Sequence, residues 1–171
     1  MKLFPVLELG IALGASGCGY GLGYQAPPSV SRVAVPIFDN QTFPLRREIE
    51  YDLTSEFRKA IQTRTSLVLT SEADADMIIF GAIKDFQERV VAEGVNDQKL
   101  ESTIFIRVHL IVEDYRNARR WEERVEVAEP LSTEVGQPIQ TATVRAIQKL
   151  ADRMLDAVEY WGEEAAAPPG P

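Results

Sequence analysis

Few side chains in this chain of 171 residues have the types and spacing that chemistry needs. His109 is the only imidazole. It stands in the middle of an alternating segment, with Arg107 and Ile111 as neighbours on the same face. A metal site or a Ser-His-Asp relay would need partners at recognisable spacing, which the sequence does not supply, so a half-buried structural histidine is the simpler reading. Asp74 and Asp76 lie two apart, as in a calcium loop, but no glycine or distal glutamate completes that pattern. They read as a solvated turn ahead of a strand. Gly19, Gly21 and Gly23 imitate a phosphate loop without a strand before it or a helix pattern after it, which makes a flexible tether the better reading. Arg116, Arg119 and Arg120 form a local basic cluster. Arginine forks bind phosphate and carboxylate bidentately, so this cluster is a candidate contact for an anionic glycolipid; the alternative is a hairpin end neutralised by Glu113, Asp114, Glu122 and Glu123. No catalytic, cofactor or metal constellation emerges.

Cys18 is the only thiol, which excludes an internal disulfide and a thiolate cluster. It follows a positive charge at Lys2, a mostly apolar stretch from Leu3 to Leu13, and Ala15-Ser16-Gly17. This is the layout of a secretory signal with a small-residue processing site. It is similar to a bacterial lipobox, in which the cysteine thiol takes a diacylglycerol. The sequence departs from the usual pattern in having Ala15 where leucine is commonest, and in Pro5 and Glu8 within the apolar stretch. The other reading is a buried N-terminal helix with a free thiol. Removing residues 1–17 leaves 154 residues and, because Lys2 and Glu8 leave together, the same net charge of -8. Each buried CH2 of an acyl chain contributes about 0.8 kcal/mol, so acylation would hold even an acidic domain at a bilayer.

With 18 basic and 26 acidic residues the surface repels phosphate backbones, which argues against nucleic acid as a partner. No stretch reaches the length of a membrane-spanning helix, and no repeat is present. Residues 32–38 alternate with Val33, Val35 and Ile37 on one face, and Pro36 implies an edge or a bulge. Ile49, Leu53, Phe57 and Ile61 recur every four residues and predict a helix over about 46–62. Leu67-Val68-Leu69 reads as a short strand. Residues 77–91 read as a long strand with a bulge at Gly81, and 93–97 as a hairpin loop. Residues 104–113 and 120–127 alternate as an antiparallel pair about a turn at 114–118. Thr143, Ile147, Leu150, Met154, Ala157 and Trp161 predict a second helix opening at Pro138 and capped by Gly162.

The expected fold is α+β, two helices packed on one mostly antiparallel four-stranded sheet. The expected layout is a lipoprotein signal at 1–17, a flexible tether at 18–29, a single domain at 30–162 and a disordered tail at 163–171.

Taken in order, Gly17-Cys18-Gly19-Tyr20, the run from Val33 to Thr42, Glu48-Ile49-Glu50, the run from Ala75 to Ile83, and the helix from Ala146 to Trp161 resemble the LptE family. That is the family of outer-membrane lipoproteins in lipopolysaccharide assembly. The resemblance implies a non-enzymatic domain that plugs and supports the LptD β-barrel at the periplasmic face of the outer membrane, anchored by lipid at Cys18. It also implies possible contact with lipopolysaccharide, whose contact residues no motif here places, leaving Arg116, Arg119 and Arg120 as candidates from charge alone. The competing expectation is a periplasmic lipoprotein that activates or scaffolds cell-wall synthases, or a TolB- or CsgG-like module.

Overall fold

A computed structural model describes residues 29–93, 99–132 and 139–166. The elements in chain order are β1 (Arg32–Ala34), β2 (Asp39–Asn40), α1 (Ile49–Arg64), β3 (Val68–Leu69), a 3-10 turn (Glu72–Asp74), β4 (Met77–Glu93), β5 (Lys99–Asp114), β6 (Arg119–Ser132) and α2 (Ile139–Ala166). The strands form one six-stranded sheet in the order β3-β1-β4-β5-β6, with β2 also paired to β4.

The sheet is mixed, which corrects the expected four antiparallel strands. β1 runs parallel to both β3 and β4, and β2 runs parallel to β4. Only the β4–β5 and β5–β6 ladders are antiparallel. Strands of two or three residues are too short to show a period, and parallel neighbours are joined through a crossover, here α1, so their pairing leaves no local trace. The expected 32–38 strand is cut short at Ala34, ahead of Pro36, which has no N–H to give a ladder.

Helix α1 begins three residues later than expected because its approach is tied elsewhere. Asn40 Nδ2 donates to the Arg46 carbonyl at 2.7 Å and the Arg46 N–H donates to Thr42 Oγ1 at 2.9 Å, which holds the chain out of helix until Glu48, at φ 70°. It stops at Thr65, whose N–H and hydroxyl both donate to the Ile61 carbonyl. The expected bulge at Gly81 is also corrected, since the register shifts between Ile83 and Asp85 instead. Gly81 is glycine for a packing reason: a Cβ there would lie 2.8 Å from Phe38 Cδ1. Gly162 does not end α2, which continues to Ala166; the helix buries Trp161 against Trp121, with ring centroids 6.1 Å apart. Glu93 of the expected 93–97 hairpin loop belongs to β4, while Pro138, residues 94–98 and residues 167–171 lie outside the described residues.

Both helices lie on one face of the sheet. Leu53, Phe57 and Ile61 from α1 and Ala146, Leu150, Met154 and Val158 from α2 bury themselves against Met77, Ile79 and Ile83 of β4 and Ile104, Ile106, Val108, Leu110 and Val112 of β5. Arg64 joins the helices by donating to Asp152 at 3.0 Å and Asp156 at 2.6 Å.

Candidate interaction surface

The period of two that buries the even positions of β5 sets Thr103, Phe105, Arg107, His109, Ile111 and Glu113 on the opposite face, where they are half-buried. The register places Ala128, Glu126, Arg124 and Glu122 of β6 beside Phe105, Arg107, His109 and Ile111, and Gln87, Asp85, Ala82 and Phe80 of β4 on their other side. Among the described residues this face carries no helix. Its charges are laid out in opposite-sign pairs: Arg107 meets Glu126 at 3.2 Å, and Arg120 meets Glu122 at 2.8 Å and Glu113 at 3.6 Å. Arg89 and Arg107 flank the Phe105 ring, with guanidinium carbons 4.5 and 5.0 Å from its centroid. Such exposed pairs add little to stability, yet they leave a face with both signs of charge and no free excess of either. His109 Nε2 lies 3.3 Å from Glu122, as a structural histidine would.

The free edge of the sheet at β6 is blunted. Arg153 of α2 donates to the Glu126 carbonyl at 2.7 Å, which shows that the main chain at Glu126 points outward. Pro130, four residues on and of the same parity, presents a nitrogen without hydrogen to the same side. A capped carbonyl, a proline and alternating charges are what keep an edge from adding a foreign strand.

The turn that joins β5 to β6 is held from below by Asp76. This carboxylate is 2% exposed, which corrects the expectation of a solvated aspartate. Its Oδ2 accepts from the Ser31 and Arg32 backbone N–H groups at 3.2 and 2.9 Å and from the Ser31 hydroxyl at 3.1 Å. Its Oδ1 accepts from Arg32 at 3.2 Å and from Arg116 at 2.8 Å. The Arg32 guanidinium, with Arg116 and the two backbone donors, holds the carboxyl far below the usual aspartate range against the opposing effect of burial. Asp114, equally buried, accepts from the backbone N–H groups of Arg116 and Asn117, both at 3.0 Å, and so shapes the turn itself.

Of the three arginines singled out in the sequence, Arg116 therefore grips Asp76 and Arg120 grips Glu113 and Glu122. Arg119 stands opposite Asp114 in the ladder. Cys18 and the glycine run lie outside the described residues. A third buried carboxylate, Glu129, escaped sequence reading. It is 4% exposed and accepts from Arg145 at 2.9 Å and from Lys149, tying β6 to the first turns of α2. Burial pushes its carboxyl up, and the two cationic donors more than offset this, leaving it below its ordinary value. Its parity with Val125, Val127 and Leu131 was the available signal. Among the described residues no group of three or more His, Cys, Asp or Glu side chains is placed to hold a metal, and no helix is long and apolar enough to cross a membrane.

Two helices on one face of a mixed sheet, with the charges of the other face paired, define a small α+β domain. A family model described as LptE, lipopolysaccharide-assembly, matches residues 30–158, and the chain belongs to that family. No curated protein sequence matches it. Among solved structures it is similar to rare lipoprotein B from Shewanella oneidensis, with 10% identity and a TM-score of 0.58 over 80% of this chain and 100% of that one. It is also similar to an uncharacterized lipoprotein B from Nitrosomonas europaea, with 15% identity and a TM-score of 0.56 over 84% of this chain and 90% of that one. A Xanthomonas campestris protein gives 10% identity and a TM-score of 0.58 over 84% and 94%. At these identities the likeness is one of fold.

Proposed function

We propose that this chain is a non-enzymatic lipoprotein of the outer membrane that is acylated at Cys18, faces the periplasm, and plugs and supports the LptD β-barrel during lipopolysaccharide assembly. The observation that carries the reading is the family match over nearly the whole folded domain. The lipoprotein names of the structural relatives support the anchoring.

The physics of plugging agrees with the surface. Barrel lumens are polar, and a plug must meet them with a rigid face whose charges are already balanced. The uncovered face of β4, β5 and β6 has that character. A domain of this length has a radius of gyration of about 14 Å, so its partner belongs with the large plugged barrels rather than with open porins. The turn bearing Arg116, Arg119 and Arg120 is the proposed point of contact for an anionic glycolipid. A guanidinium has more donors than one carboxylate uses, and Arg120 has N–H groups to offer beyond Glu122.

Affinity purification from detergent-solubilised outer membrane tests the reading. The expected result is recovery of a large β-barrel protein with the chain, and an N-terminus at acylated Cys18 by mass spectrometry. Recovery of peptidoglycan-synthesis enzymes alone, or depletion that alters cell-wall cross-linking while leaving surface lipopolysaccharide intact, would favour the cell-wall scaffold instead.

A further inference from the structure

The connection between β2 and α1 displays apolar side chains on a rigid support. Phe43 is 93% exposed and Leu45 63% exposed, at a site where most proteins of this size would place polar residues. The loop is not loose. Thr42 donates its N–H and hydroxyl to Asn40 Oδ1 at 3.2 and 2.8 Å, and Asn40 Nδ2 reaches the Arg46 carbonyl and Glu50 Oε2, both at 2.7 Å. The Gln41 N–H donates to the Ile83 carbonyl at 2.9 Å, which fastens the loop to the middle of β4. The tip thus comes preorganised, so burying it in a partner would not have to order the backbone first.

Its chemistry is specific. Residues 42–47 read Thr-Phe-Pro-Leu-Arg-Arg, a convex apolar tip followed by two cations and no acid, on a chain whose net charge is -8. Arg46 lies over the Phe86 ring, 4.9 Å from its centroid, so its charge stays at the base of the tip. Arg47 is exposed and has no ion-pair partner among the described residues. Tyr51 on α1 and Ile37 on the chain leading to β2 are also exposed. An aromatic and aliphatic tip backed by cations is suited to the boundary between acyl chains and anionic headgroups. It is poorly suited to a polar lumen.

Reach permits this. Residues 33–40 run beside Met77 to Ile83 of β4, about 20 Å, and residues 18–29 at full extension cover at most about 40 Å. A bilayer holding Cys18 is therefore within range of the tip.

We propose that residues 42–47 form a membrane-contact loop, in which Phe43 and Leu45 enter the interfacial zone of a phospholipid bilayer while Arg46 and Arg47 face anionic headgroups. The proposal takes from the preceding section only that the domain works at a membrane. It places this side of the domain at a lipid surface and leaves the β4–β6 face for the protein partner.

The single cysteine provides a test that does not depend on acylation in the cell. The full chain is coupled through Cys18 to maleimide-phosphatidylethanolamine in vesicles of phosphatidylethanolamine and phosphatidylglycerol whose acyl chains are brominated. Phe43→Trp is compared with Tyr160→Trp, an exposed position on α2, after subtracting the emission of the parent's own Trp121 and Trp161. Both sites are exposed, so neither change disturbs the core. The expected result is severalfold stronger quenching of the indole at 43 than of the one at 160, reduced when Leu45→Asp is added. Equal quenching at the two positions would overturn the proposal. So would an indole at 43 that is shielded only when a β-barrel membrane protein is added, which would make the tip a protein contact.

Discussion

The two faces of the central sheet are built from alternate residues of the same strands and do opposite things. On the covered face Ile104, Ile106, Val108, Leu110 and Val112 have no exposed surface and meet both helices. On the uncovered face, one residue away in each case, Phe105, Arg107, His109, Ile111 and Glu113 make cross-strand pairs with β4 and β6, and among the described residues no helix covers them. The covered face has fulfilled its packing within the domain. The uncovered one has paired its charges but left its apolar atoms half in water. Under the proposed function, the difference separates stability from docking residue by residue.

The largest expected effect follows from that separation. Leu110→Ala removes a fully buried side chain and should lower the unfolding free energy by about 2–5 kcal/mol, measured by urea titration. Ile111→Ala, its neighbour on the other face, should lower it by less than about 1 kcal/mol while reducing the amount of β-barrel protein recovered with the chain. Equal losses of stability would show that the two faces are not distinct. Next in size is Gly81→Ala: its Cβ would press on the Phe38 ring and should cost about 1–3 kcal/mol.

Acid should act through the buried carboxylates of Asp76 and Glu129. Asp76 and Glu129 both titrate lower in the folded chain than in the unfolded one, so the unfolded chain binds more protons as pH drops. Their contribution is therefore fully present at neutral pH and is lost as pH falls below about 4. Asp76→Asn should flatten that part of the stability profile, which a series of thermal melts between neutral and acidic pH would show. The smallest expected effect is that of Arg64→Ala. It breaks two exposed ion pairs between the helices and should cost no more than about 1 kcal/mol, with less effect still at high salt.

These features were unequally visible in the sequence. The two helices and the β5–β6 pair were legible because their apolar residues recur over many turns or many alternations, and the periodicity survives errors of a few residues at the ends. Strands at β1 and β3 were legible from Val33, Val35 and Leu67-Val68-Leu69, but β2 and the parallel pairing of all three were not, since a pairing of two residues through a crossover leaves no pattern to count. Gly81 looked like a bulge because a glycine within a strand usually has a backbone reason, whereas here the reason is the Phe38 ring from the connection between β1 and β2. Asp76 looked solvated because the donors that bury it, Arg116 and the Ser31-Arg32 backbone, lie 40 or more residues away along the chain. The arginine turn was legible as a charge cluster, but which carboxylate each guanidinium takes is set by tertiary contacts. The rigidity of residues 42–47 likewise depends on a hydrogen bond to the middle of β4.

The most direct measurement for the proposed role is photo-crosslinking in the cell from the uncovered face. A benzoylphenylalanine in place of Arg124, an exposed residue of β6, would report what lies against that face. The account predicts one dominant adduct, with a large outer-membrane β-barrel protein, and none from the same probe at the covered position Leu110. Adducts with cell-wall synthases only, or an unprocessed chain recovered free in the soluble fraction, would contradict it.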